Sequence, residues 1–212
     1  MARRTKEQAQ ETRVQILDAA EQVFYAQGVS RASLGEVARV AGVSRGAIYW
    51  HFENKIDLFQ AMLDRLRLPL EELARASESE DEPDPLGCMR ELLICALTRL
   101  AEDTQSRRIH DILRYKCEYS GELLGLRDRM QELARECDQR IAKALSNAVS
   151  RGQLPTDLDC RSAAVCLHAY MEGIESHWLL AADFDLAGQA ASLVDAALDM
   201  LRNSPALRSQ AD

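Results

Sequence analysis

Residues 33–55 read Ser-Leu-Gly-Glu-Val-Ala-Arg-Val-Ala-Gly-Val-Ser-Arg-Gly-Ala-Ile-Tyr-Trp-His-Phe-Glu-Asn-Lys, and they divide into two short helical patterns joined by a glycine turn. Ser33 opens the first pattern with a capping box: its hydroxyl can accept the Glu36 amide while the Glu36 carboxylate reaches back to the Ser33 amide. Leu34, Val37, Ala38 and Ala41 then line one apolar stripe at helical spacing. Gly42 supplies the positive φ that lets the chain leave sharply. Ser44 caps the second pattern, which begins Arg45, Gly46, Ala47. Ala47, Ile48 and Phe52 can face inward, leaving Arg45, Gly46, Tyr49, Trp50 and His51 for a partner. Two helices so joined are how a helix-turn-helix presents a recognition helix to a DNA major groove. The missing side chain at Gly46 lets backbone come close to that partner. Asn54, followed by Lys55 and Asp57, reads as the cap of the next helix, and the Lys55 ammonium with the first amides suits a phosphate.

Upstream, Thr5 and Gln8 form a second capping-box pattern, opening a helix with Ile16, Leu17, Ala20, Val23 and Phe24 on one face and Gly28 at its end. That helix packs behind the other two, so residues 1–54 are expected to form a three-helix, helix-turn-helix DNA-binding domain and 55–212 a larger second one. Downstream, a helix is expected from Asn54 to about Ala76 with a kink at Pro69, where one backbone hydrogen bond is lost. Ser77 to Pro85, acidic and with two prolines, reads as a surface loop. Helical patterns follow over 86–103, 105–117, 121–150, 157–180 and 185–202, with Gly152 and Pro155 between the third and fourth. No strand alternation and no internal repeat interrupt them, and the expected class is all-α.

The net charge of −8 argues against nucleic acid until it is divided along the chain. Residues 1–55 carry eight Lys and Arg against six Asp and Glu, so this segment is at +2 and the rest at −10. A basic tip can hold phosphates while an acidic body limits non-specific adhesion. There is no apolar run of membrane-spanning length, and Met-Ala-Arg-Arg-Thr-Lys lacks the apolar centre of a signal peptide, so a cytoplasmic protein is expected. Cys88, Cys95, Cys117, Cys137, Cys160 and Cys166 contain no CxxC pair, which suggests neither zinc nor a disulfide framework but reduced, mostly buried thiols.

Enzyme signatures are missing: there is no glycine-rich phosphate loop, no nucleophile elbow and no ligand spacing for a catalytic metal. No cofactor, metal or catalytic residue is expected. His168, Glu172 and Glu175 could be drawn as an acid/base group, but helical spacing produces such trios often. These residues with Met171 suit either the orientation of a ligand or the rim of an interface. His110, Arg114 and Tyr115 read as the polar edge of an apolar helix.

Val-Ala-x-x-Ala-Gly-Val-Ser-x-Gly-Ala-Ile-Tyr-x-His-Phe-x-Asn-Lys over residues 37–55 resembles the DNA-binding signature of the TetR family of repressors. The resemblance extends over nearly the whole chain, at Arg3 to Lys6, Ser77 to Arg90, Arg151 to Pro155 and Leu198 to Arg202, to multidrug-efflux repressors of the AcrR and TtgR type. It implies a ligand-responsive repressor that binds a palindromic operator, contacting DNA through Ser33, Ser44, Arg45, Gly46, Tyr49, Trp50, His51 and Lys55. It also implies a homodimer paired through two C-terminal helices. The last two helical patterns are rich in small apolar residues such as Ala163, Ala164, Ala190 and Ala197, which composition alone leaves as either dimer seam or internal packing. A hydrophobic effector is expected between the helices of residues 86–180, lined by Leu93, Ala96, Leu113, Cys137, Ile141 and Met171 and oriented by His110, Arg114, His168 and Glu172. Two rivals are a repressor released by thiol oxidation, for instance at Cys137, and a DNA binder with no effector.

Overall fold

The computed structural model describes residues 2–118 and 123–209, with side chains from Lys6 onward. In chain order the helices are α1 (Ala2–Gln27), α2 (Leu34–Ala41), α3 (Arg45–His51), α4 (Lys55–Arg67), α5 (Glu71–Glu78), α6 (Pro85–Glu102), α7 (Thr104–Tyr115), α8 (Leu124–Ser150), α9 (Cys160–Ala181) and α10 (Leu186–Asn203). The fold is all-α; among the described residues the only β feature is an isolated antiparallel bridge between Leu158 and Arg208.

Three expectations change. α1 opens at Ala2, so Thr5 sits inside the helix and not at its cap; the side chains of Arg3, Arg4 and Thr5 lie outside the described residues. Nothing between Ala2 and Gln10 is Gly or Pro, and the helix propagates through. Pro69 does more than kink: α4 stops at Arg67, a 3-10 turn takes Leu68–Leu70, and α5 starts anew. Ser77 is not in a loop but in the last turn of α5, buried, its hydroxyl donating to the Ala74 carbonyl.

The chain forms two compact units, residues 1–68 with 108–129, and residues 69–107 with 130–212. In the first, Ile16, Phe24, Ile48, Phe52, Leu58 and Phe59 are fully buried, joined by Ile109 and Ile112 of α7. The Phe24 and Phe59 rings meet at 6.2 Å. The buried Glu21 of α1 has guanidinium groups from Arg65 of α4 at 3.8 Å and Arg108 of α7 at 3.6 Å, so its charge is compensated where water is scarce.

The second unit has its own core of Leu97, Leu100, Leu145, Leu167, Val194 and Leu201. Asp84, Asp159 and Asp185 cap α6, α9 and α10 through their carboxylates. Arg140 of α8 ties α5 down by donating to Glu78 at 2.6 Å and Glu71 at 3.2 Å. Arg151 donates to the carbonyls of Glu80 and Glu82, fixing the acidic loop. The Trp178 indole donates to the Phe184 carbonyl and the Tyr170 hydroxyl to that of Leu193, which secures the α9–α10 pairing.

Candidate nucleic-acid interface

The local signals of residues 33–55 produce the expected geometry. Ser33 Oγ accepts the Glu36 amide at 3.2 Å, and Glu36 Oε2 accepts the Ser33 amide at 3.4 Å. Glu36 also takes a hydrogen bond from Gln27 Nε2 at 3.0 Å, which, ahead of the Ser33 contacts, holds its carboxyl below the usual range and keeps it ionised. Gly42 leaves α2 at φ +68, and Ser44 Oγ accepts the Ala47 amide at 3.1 Å to start α3. Asn54 Oδ1 accepts the Asp57 amide at 3.0 Å to start α4.

Helix α3 buries Ile48, with Phe52 just beyond its end, and half-buries Ala47. The opposite face carries Arg45 and Gly46, both exposed, with Tyr49 at 52% and Trp50 at 72% exposure. Two large aromatic side chains left in water on one short helix are an apolar surface awaiting a partner. A Cβ built on Gly46 would meet nothing nearer than Ser44 Oγ at 3.8 Å, an ordinary contact. The protein's interior therefore gives no reason for glycine there, although glycine inside a helix costs about 0.5–1 kcal/mol relative to alanine.

Lys55, which ends the motif, and Arg13, outside it, behave in ways the sequence did not disclose. Lys55 Nζ donates to the carbonyls of Ser30 and Ala32 at 3.2 and 3.1 Å, so two of its three donors serve the turn before α2. Arg13 lays its guanidinium over the Phe52 ring, 5.1 Å from the centroid. Partial burial first, and then the positive charge of Arg13, hold His51 below the usual imidazole range. Both influences favour the neutral imidazole, which can donate and accept but brings no charge.

The expected effector residues separate into two groups. His110, Leu113 and Arg114 stand on α7 within the first unit. Leu93 and Ala96 of α6, Cys137 and Ile141 of α8, and His168, Met171 and Glu172 of α9 belong to the second. There Leu93 and Ile141 pack, half-buried, against the core that includes Met171. His168 is held between helices: Nδ1 lies 2.7 Å from Asp138 Oδ1, and Nε2 lies 4.0 Å from Glu172 Oε1. A hydrogen bond with Cys137 is the largest influence raising its pKa, opposed by burial and helped by Asp138 and Glu172, and the imidazole is pushed up to about 9. Asp138, the closest charged partner of His168, was not among the sequence candidates; it lies 30 residues away and carries no motif.

The six cysteines are free: Cys166 is exposed, whereas the other five are half-buried and not, as expected, mostly buried. The small-residue helices also divide by face. Ala163, Ala164, Ala190 and Ala197 are core of the second unit. The outer face presents Val165 at 54% and Leu180 at 77% exposure. Beside them an open apolar groove of about 510 Å³ is lined by Tyr170, Ile174, Phe184 and Leu193 among others.

Residues 16–62 match the family model for bacterial regulatory proteins of the tetR family, and residues 84–203 match that for the C-terminal region of the MAATS-type transcriptional repressors. The chain belongs to the TetR family. Within the family it is 54% identical over 209 residues to the HTH-type transcriptional regulator TtgR of Pseudomonas putida, covering 98% of this chain and 100% of that one. It is 40% identical over 212 residues to the HTH-type transcriptional regulator AcrR of Shigella flexneri, covering 100% and 99%. Among solved structures, NalD, the secondary repressor of the MexAB-OprM multidrug efflux pump in Pseudomonas aeruginosa, superposes with a TM-score of 0.79 at 35% identity over 93% of this chain and 99% of that one. SmeT in complex with triclosan gives 0.81 at 32% identity, covering 92% and 93%. As a TetR-family member the chain is a DNA-binding transcriptional regulator, and residues 16–62, which match the family model, include α3 and its exposed face. Among the described residues no helix is long and apolar enough to cross a membrane.

Proposed function

We propose that this TetR-family regulator represses a multidrug-efflux operon: it binds a pseudo-palindromic operator as a homodimer and is released by hydrophobic, drug-like effectors. The observation that carries the reading is the exposed face of α3, where Arg45, Tyr49 and Trp50 flank a glycine that has no internal cause. Residues 1–54 read the DNA. Arg45 takes a base edge, guanine through two hydrogen bonds, while Ser33, Ser44, Tyr49, His51 and Lys55 hold backbone or sugar and Gly46 and Trp50 let the helix sit close.

Residues 55–212 bind the effector and dimerise. The outer faces of α9 and α10, with Val165, Leu180 and the groove by Tyr170 and Leu193, form the seam. The effector lies among α6, α8 and α9, against Leu93, Ile141 and Met171, with His168 and Glu172 for orientation. His110, Leu113 and Arg114 stand on α7, in the same unit as the reading head. Binding selects a dimer shape whose recognition helices no longer match successive major grooves. A coupling of about 1–3 kcal/mol lowers operator affinity about 5- to 150-fold. The protein acts in the cytoplasm and performs no catalysis. The relatives' names support the efflux assignment, and the triclosan complex of SmeT supports an aromatic effector.

An electrophoretic shift with the promoter beside this gene, repeated with triclosan and a panel of aromatic antibiotics, tests the proposal. It predicts a sequence-specific shift that at least one compound reverses. A shift that none reverses makes the chain an effectorless binder, and no shift removes the reading altogether.

A further inference from the structure

We propose that Gly46 and Trp50 form a hollow on the outer face of α3 that seats the 5-methyl group of an operator thymine, which makes Trp50 a specificity-determining residue. The inference rests on the reading of α3 as the helix that reads the operator. Gly46 and Trp50 stand two residues either side of the fully buried Ile48, about 200° around the helix from it, so both lie on the side that faces away from the core. Four residues apart, they form one ridge of that face, with Arg45 and Tyr49 as the ridge beside it.

A long side chain on a helix ordinarily leans back over the preceding turn, which would lay the Trp50 indole across Gly46. It does not do so. A Cβ built on Gly46 would have the Ser44 hydroxyl near it at 3.8 Å and no indole atom within 4 Å. The indole instead meets the His51 ring edge to face, with centroids 4.5 Å apart and planes at 89°. Arg45 turns away as well, its Nε lying 3.9 Å from the place of a Cβ on Gly35 of α2. What remains is an open hollow that admits a methyl group, floored by the main chain of Gly46 and walled by the indole. Thymine is the base that carries a methyl group into the major groove. A polar base edge pressed on the same surface would lose water without gaining a hydrogen bond, so the hollow also selects against the other bases. The contact accounts both for an indole left in water and for a glycine without a cause inside the protein.

The thymines of the promoter fragment are replaced, one symmetric pair at a time, by deoxyuridine, which removes the methyl group and nothing else. Full-length wild type, Trp50→Ala and Gly46→Ala are then titrated against each duplex. Wild type is expected to lose about fourfold in affinity per methyl, about 15-fold for a symmetric pair, at one pair of positions. Trp50→Ala, at an exposed position, should melt like wild type and bind that uracil duplex and the thymine duplex alike. Gly46→Ala fills the hollow with a methyl of its own. It should melt no lower than wild type and reverse the preference, binding the uracil duplex more tightly than the thymine one. Wild-type indifference to uracil at every thymine overturns the proposal, as does a sensitivity that survives Trp50→Ala or a Gly46→Ala protein that keeps the wild-type preference. If the wild type still prefers the operator to a scrambled duplex in those cases, α3 remains the reading helix and the hollow alone falls; if it shows no such preference, both readings fall.

Discussion

Lys55 donates its ammonium to the main-chain carbonyl of Ala32 at 3.1 Å, so the last residue of the DNA-reading motif ties α4 to the turn in front of α2. Together with the bond to Ser30, this makes Lys55 a brace for the recognition helix as well as a positive charge near it. Lys55→Ala should destabilise the first unit by about 1–2 kcal/mol, the lower range for charge-assisted hydrogen bonds that are partly exposed. Thermal denaturation should show the loss, and the salt slope of operator binding should fall by about 0.9 with the lost phosphate contact. An unchanged melting temperature with a salt slope reduced by about 0.9 makes Lys55 a plain phosphate contact instead.

The dimer seam is tested on the outer faces of α9 and α10. Arginine at Ala190 or Ala197, each 1% exposed, buries a charge inside the subunit and should unfold the second unit. Leu180→Asp and Val165→Arg, at exposed positions, should leave the subunit folded yet shift it toward monomer. Operator binding should fall with the dimer, because half-sites about one helical turn apart need two heads held together. Sedimentation equilibrium checks this, and a wild-type monomer at micromolar concentration contradicts it.

His168 gives stability a pH dependence. Its folded-state pKa is pushed up to about 9, above an unfolded value near 6.5. The stabilisation is therefore complete below about pH 6.5 and is lost as the pH rises through about 9, amounting to at most about 3 kcal/mol. Urea denaturation of the wild type should weaken across that window, while His168→Gln should show a flatter profile. The difference between the two proteins is the quantity to read, since other groups titrate in both.

The reading head was legible because its signals are local. Ser33, Ser44 and Asn54 each satisfy an amide within three residues, and Gly42 adopts its φ for reasons contained in one turn. Long-range choices were not. Glu21 is buried because Arg65 and Arg108 arrive from helices far along the chain. Asp138 matters because α9 brings His168 to it. In α9 and α10, alanine supplies both the buried and the exposed face, so Ala190 and Ala196 look alike in sequence although one is core and the other open to solvent.

Fluorescence anisotropy of the labelled promoter fragment and of a scrambled duplex, titrated with wild type and with Arg45→Ala, tests the central claim most directly. The account predicts that Arg45→Ala melts like wild type and binds the scrambled DNA nearly as well, yet loses about 1–3 kcal/mol of preference for the operator. If Arg45→Ala keeps the full preference of the wild type, the exposed face of α3 does not read the operator.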